Sequence, residues 1–217
     1  MLGKTTNVWQ DRRKDATRSA IVAAAWAEAR EHGLATLTLR QLAARIGMSA
    51  PSLYTHFAAK HAIYDAMFAD AWREVERIQS AMVLPAEPRA ALRTVARTFF
   101  DFSTADLPRH QLMDSRIIPD FTPSPEAYQP AVRVMKNLHQ LFATIFGTAR
   151  DEDVDLYSAL VGGLIDAQWA NDPGGQRYGR LLDRAIDMFA DDMGLPPAPV
   201  VGPPARPDEP PPRVDQE

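Results

Sequence analysis

Three observations predict an all-α protein. Apolar residues recur every three or four positions over long stretches, as in Ile63, Met67, Ala71, Val75, Ile78 and Met82, the spacing that gathers side chains on one helix face. Proline- and glycine-bearing turns separate these stretches, as at Pro85 and Pro88 or Asn171-Asp172-Pro173-Gly174-Gly175. Residues 38–60, TLRQLAARIGMSAPSLYTHFAAK, read as two short helices meeting at a sharp turn. The expected organisation is an arm without structure over residues 1–11, a three-helix head over 12–60, a helical body over 61–194 entered by one long helix, and a disordered tail over 195–217.

In the turn segment, Leu39, Leu42, Ala43 and Ile46 stand at i, i+3, i+4 and i+7. Thr38 and Gln41 form a capping-box pair in which each side chain satisfies a backbone N–H near the other. Gly47 ends the helix, since a residue without Cβ enters the left-handed conformation without strain. Ser49 is a good N-cap for a second helix, Ala50 to about Phe57, and Pro51 is tolerated in its first turn. That helix turns Leu53 and Phe57 inward and leaves Ala50, Ser52, Thr55 and His56 on another face. Such a pair matches the helix-turn-helix, whose second helix lies in the DNA major groove. An ordinary helical hairpin has the same spacing, and periodicity does not separate the two.

The remaining elements follow in order. Arg13 to His32 is Ala-rich, with Ile21, Ala24 and Ala25 on one face, Glu28 interrupting that stripe, and Trp26 in the core or at its edge; Gly33 closes it. Lys60 to about Val83 is the long helix, ~36 Å at 1.5 Å per residue. Further helices are expected from Arg89 to about Ser103, Arg109 to about Arg116, Pro125 to about Phe146 with Pro130 kinking it or delaying its start, Asp153 to Asn171, and Gln176 to Met193. Gly162 and Gly163 inside one of them each cost up to ~1 kcal/mol relative to alanine, which suggests close approach of a helix or ligand. Residues 195–217 hold nine of the chain's 18 prolines and show no apolar period.

Composition bounds the chemistry. The chain has no cysteine, which excludes disulfides, a thiol nucleophile and cysteinyl metal ligation. No apolar run approaches the ~18 residues of a membrane span, and no apolar signal region opens the chain, so a cytoplasmic protein with no membrane partner is expected. Net charge is −4 overall, yet residues 1–60 carry +5 and the remainder −9. A basic head on an acidic body is expected when one end meets phosphates. Arg12, Arg13 and Lys14 either reach DNA or form a solvated helix start. No GxSxG, Walker loop or HExxH occurs, so no catalytic residues, cofactor or metal are assigned and an enzyme is not expected. His110 and Asp114, at i and i+4, read as a surface pair.

The run TLTLRQLAARIGMSAPSLYTHFAAKHAIYDAM resembles the DNA-binding domain of the tetracycline-repressor (TetR) family of bacterial transcriptional regulators. Leu53-Tyr54-Thr55-His56-Phe57 followed by Lys60 carries the resemblance most specifically, and it covers roughly residues 14–68. Ala50 and Pro51 depart from the lysine-glycine often found at those positions, which leaves the operator unpredictable.

The resemblance implies a homodimer on a double-stranded DNA operator, nucleoid-associated when bound, with an unidentified small-molecule effector. Carried over by position, Thr38, Arg40, Tyr54, His56 and Lys60 would hold phosphates, while Ala50, Ser52 and Thr55 would face bases, with Ser49 at the N-cap beside them. The last two long helices would pair with their symmetry mates, or else fill only the monomer's core. In the body, Phe99, Phe102, Met113, Tyr128, Met135 and Trp169 would suit an apolar cavity, with His110, His139 and Asp166 as polar orienters; each also reads as ordinary core. The implied function is a repressor released by a small apolar ligand. An activator, and a helical interaction module with a degenerate head, remain as alternatives.

Overall fold

A computed structural model describes residues 3–115 and 117–197 of the chain. Among the described residues all regular structure is helical: α1 (Gly3–His32), α2 (Leu39–Arg45), α3 (Ala50–Tyr54), α4 (Lys60–Ala81), α5 (Pro88–Thr104), α6 (Leu107–Asp114), α7 (Pro125–Phe146), α8 (Asp151–Asn171) and α9 (Leu182–Asp192), the last preceded by a 3-10 turn, Gly179–Leu181.

Most boundaries match the apolar period, and the differences have local causes. Helix α1 begins at Gly3, so the arm expected over residues 1–11 is helical from there; its described side chains up to Ala20 are exposed or half-buried, and an apolar period says nothing about such a stretch. Helix α3 stops at Tyr54 instead of Phe57, although Phe57 is buried all the same. The last helix starts at Leu182, not Gln176, because Asp172 Oδ2 accepts from Arg177 N at 2.8 Å and Gln168 Oε1 accepts from Tyr178 N at 2.9 Å. Those side chains take donors that a helix would have used. Pro130 neither delays nor ends α7: it is buried six residues in, where the helix simply forgoes one hydrogen bond. Tail residues 198–217 lie outside the described residues.

Two buried clusters share the work. One joins the head to the first part of α4 and the start of α7; the other joins α5, α8, α9 and the end of α7. Glu28, which breaks the apolar stripe of α1, is buried against Arg45 of α2 at 3.0 Å, and Trp26 enters the core while donating to Asp70 of α4 at 2.9 Å. Tyr64 of α4 donates to the carbonyl of Leu34 at 2.6 Å, and burial pushes its phenol up to about 12. The head is thereby bolted to α4.

Helix α4, 22 residues and ~33 Å long, lies along α7. Asp65 accepts from Ser124 at 2.7 Å, Glu76 from Arg133 at 2.9 Å, and Gln79 from Asn137 at 3.2 Å. The register advances in the same direction on both, so they run parallel. Helices α5 and α9 run antiparallel and carry a ladder one turn apart, Arg89 with Asp191 at 2.6 Å, Arg93 with Asp187, and Arg97 with Asp183 at 3.0 Å.

Arg89 is the buried rung and also donates to the carbonyls of Pro196 at 2.6 Å, Leu195, and Asp187 at 3.3 Å. Arg89→Ala removes a charged donor from several acceptors at once. A loss of about 2–4 kcal/mol follows, which lowers Tm by about 5–15 °C for a chain of this size. Calorimetry of the two proteins checks this, and an unchanged Tm contradicts it.

Candidate nucleic-acid interface and body cavity

The turn between α2 and α3 is built as its residues require. Thr38 Oγ1 accepts from Gln41 N at 3.3 Å; the reciprocal half of the capping box differs from expectation, since the Gln41 side chain meets the Thr38 hydroxyl and not its backbone N–H. Gly47 has φ +65°, and a Cβ there would be strained whatever the space. Ser49 Oγ accepts from Ser52 N at 3.3 Å.

The proposed contact residues do not stand on equal terms. Tyr54 and Thr55 are exposed, as are Thr38, Arg40 and Ser49, whereas Ala50, Ser52, His56 and Lys60 are half-buried. Ala50 packs on the head core, so it offers less surface to a base than its place on the helix suggests. The Thr55 hydroxyl donates to the carbonyl of Ser52 at 2.7 Å, leaving its methyl free. Lys60 donates to the carbonyl of Ala35 at 3.0 Å beneath the Tyr64 ring, and partial burial lowers its pKa. His56 has a buried Nδ1 with no hydrogen-bond partner among the described residues.

Of the head's cations, Arg45 is committed to Glu28 and Glu31, and Arg30 to Asp106 of α6 at 2.7 Å. Glu28, Glu31 and His32 converge closely enough for a metal, yet the Arg45 guanidinium already pairs with both carboxylates. Arg40 is exposed and pairs with no carboxylate among the described residues. Arg18 is the brace that periodicity missed: its guanidinium lies 4.1 Å from the centre of the Phe57 ring and donates to the carbonyl of His56.

In the body, a cavity of about 210 Å³ lies between α4, α5, α6, α7 and α8. Phe99, Phe102, Met135, His110 and Asp166 line it as expected, with Trp72, Val95, Tyr157, Val161 and Asp114. The other four candidates lie elsewhere. Tyr128 is exposed and stacks on Phe68 at 5.7 Å, Met113 packs on the head-side cluster, His139 faces Asp151 at 3.8 Å, and Trp169 donates to the carbonyl of Ser103 at 3.1 Å. Helical period locates a face, not the void it borders. The expectation of a surface pair at His110 is corrected: its ring is buried, with Nδ1 at 3.1 Å from Asp114 and Nε2 at 2.8 Å from Asp166.

Residues 21–67 match the family described as "Bacterial regulatory proteins, tetR family". An uncharacterized HTH-type transcriptional regulator of Mycobacterium bovis is 27% identical over 163 residues, 74% of each chain. Over residues 21–67, the head, the chain is of the TetR family type. The matched head contains the helix-turn-helix of α2 and α3, and the relative is a regulator of the HTH type. The fold of the chain is similar to those of two solved structures. BioQ with its double-stranded DNA operator gives a TM-score of 0.58 at 19% identity, covering 81% of this chain and 96% of that one. The transcriptional regulator FadR from Bacillus subtilis in complex with stearoyl-CoA gives 0.59 at 15%, covering 79% and 96%.

In the body the buried histidine has a consequence for pH. Burial by itself lowers the His110 pKa, but hydrogen bonds to Asp114 and Asp166 outweigh it and the net shift is upward from 6.5. A raised folded value stabilises fully below 6.5 and loses that stabilisation as pH rises through the folded value. The Tm difference between the native protein and His110→Gln should therefore shrink from about pH 6 to about pH 9. A gap that widens with pH contradicts the assignment.

Proposed function

We propose that the chain is a homodimeric repressor that holds an operator near its promoter and releases it when a small apolar ligand fills the body cavity. Supporting this is the placement of the cavity on the head's own supports. Trp72, Val75 and Ile78 of α4 line it, and α4 packs directly against the head. His110 of α6 lines it too, while Asp106, the N-cap of the same helix, binds Arg30 of α1 at 2.7 Å. A ligand that shifts α4 or α6 therefore acts on both attachments of the head, and its effect is limited to its differential affinity for the two head arrangements.

On DNA, Arg40, Tyr54 and Thr38 serve as phosphate contacts, with Lys60 and His56 as secondary ones, and Thr55 and Ser52 face base edges. One small head makes few contacts, so two heads on two half-sites are favoured. The partner face proposed is the outer surface of α8 and α9. Leu156, Leu160, Gly163 and Leu164 follow one helical stripe, and Leu181 and Met188 extend it; Leu156, Gly163, Leu181 and Met188 are exposed in the monomer. A Cβ at Gly162 or Gly163 would meet nothing within 4 Å, so the expected close neighbour is not found among the described residues; at Gly163 a second copy would supply it. The protein acts in the cytoplasm, as a regulator and not a catalyst. Among the described residues no helix is long and apolar enough to cross a membrane.

The test is transcription in vitro from the chain's own promoter, with and without protein and with fractionated small-molecule extracts of the source cells. Repression lifted by an extract fraction agrees with the reading, whereas stimulation by the protein identifies an activator.

A further inference from the structure

The cavity has a charge preference, and the inference drawn from it rests on the ligand-release reading above. Among the described residues the ionisable groups that line it are His110, Asp114, Asp166 and the phenol of Tyr157, and no lysine or arginine does so. The His110 ring faces a carboxylate at each nitrogen, 3.1 Å and 2.8 Å away. A carboxylate oxygen only accepts, so both contacts are hydrogen bonds only when the group holds one proton beyond that of a neutral imidazole. The cluster then carries one net negative charge. The guanidinium of Arg109 is committed, lying 4.4 Å from the centre of the Phe102 ring and 3.1 Å from Asp106. Asp166 is 70% exposed while His110 is buried, so the negative end of the cavity is reached from water. The opposite walls are apolar and aromatic, with Trp72 stacked on Phe99 at 6.2 Å and the Tyr157 hydroxyl already donating to the carbonyl of Leu92 at 2.6 Å.

We propose that the effector is a compact monocation, an amine or ammonium group on an apolar, ring-sized body, with its charge against Asp166 and Asp114 and its body between Trp72, Phe99 and Phe102. Aromatic faces attract a desolvated cation, which adds to the carboxylates. A carboxylate or phosphate head would enter a site of its own net sign, where the His110 proton is already held between two carboxylates and no lysine or arginine among the described residues is there to receive it. The cavity, about 210 Å³, falls below the ~300–1,000 Å³ of drug-sized ligand sites, which keeps the body small.

The experiment titrates the full-length protein with 3-phenylpropylamine, 3-phenylpropan-1-ol and 3-phenylpropanoate, which share one apolar body and differ in head charge. Calorimetry gives affinities, and tryptophan fluorescence reports on Trp72 in the cavity wall. The amine should bind about 10-fold more tightly than the alcohol, and the carboxylate more weakly than both. Asp166→Asn, at an exposed position that leaves the fold intact, should collapse the amine-to-alcohol ratio towards one, and Asp114→Asn should lower it. Equal binding of the three, a preference for the carboxylate, or a ratio unmoved by both substitutions overturns the proposal while leaving a ligand-binding cavity in place. No amine binding at millimolar concentration overturns it too, and the extract-driven transcription assay then judges ligand release separately.

Discussion

Replacing Leu156 and Met188 together by arginine should leave a monomer of 24.1 kDa and abolish tight operator binding. Both side chains are exposed, 48% and 62%, and touch neither buried cluster as core members, so the monomer's fold has little stake in them. In the proposed dimer they lie on the α8 and α9 faces that meet, where four introduced guanidinium groups, two per protomer, would confront one another without partners. Losing the second head forfeits its effective concentration on the second half-site, which is worth ~10²–10⁴ in affinity. Light scattering reads the mass, and anisotropy with a labelled operator reads the affinity. A variant that stays dimeric places the interface elsewhere; one that is monomeric yet binds as tightly as before shows that pairing is not what makes binding tight.

The second large effect is expected from Arg40→Ala combined with Tyr54→Ala. Arg40 is exposed in the first turn of α2, and Tyr54 is 53% exposed at the end of α3. Charge-assisted phosphate contacts contribute about 1.5–3 kcal/mol each, so the pair should weaken binding by ~10²-fold or more, by similar factors on cognate and shuffled DNA, and flatten the salt slope. Thr55→Ala, in contrast, should alter the preferred base and leave binding to shuffled DNA unchanged, because its hydroxyl is held by the carbonyl of Ser52 and its exposed methyl is left for the proposed base contact. Lys60→Ala is a poorer probe, since Lys60 also supports the carbonyl of Ala35. An Arg40 and Tyr54 double variant that binds like the native protein removes α2 and α3 from the interface.

What was legible in the sequence was whatever is encoded locally. Thr38, Gly47 and Ser49 mark the helix-turn-helix because caps and a positive φ depend on one or two neighbouring residues. The core face of α4 was legible because Ile63, Met67, Ala71 and Val75 repeat at helical spacing and are all buried, although Ile78 and Met82 further along the same stripe are only half-buried. What the chain hides are the pairings made across distance. The ladder of Arg89, Arg93 and Arg97 against Asp183, Asp187 and Asp191 is visible as i+4 spacing in each helix, but only folding brings the helices together. His110 and Asp114 are one turn apart in sequence; it is Asp166, from another helix, that turns the pair into a charged end of a cavity. The delayed start of α9 likewise depends on Gln168 and Asp172 reaching forward to intercept backbone donors.

The most direct test of the account is fluorescence anisotropy of the full chain on its own upstream DNA against a shuffled duplex, across a salt series. A sequence-reading dimer should prefer the upstream DNA by ~10³-fold or more, with affinity falling steeply as salt rises. Equal, weak binding to both duplexes, together with no enriched site in a genome-wide selection of bound fragments, would contradict it.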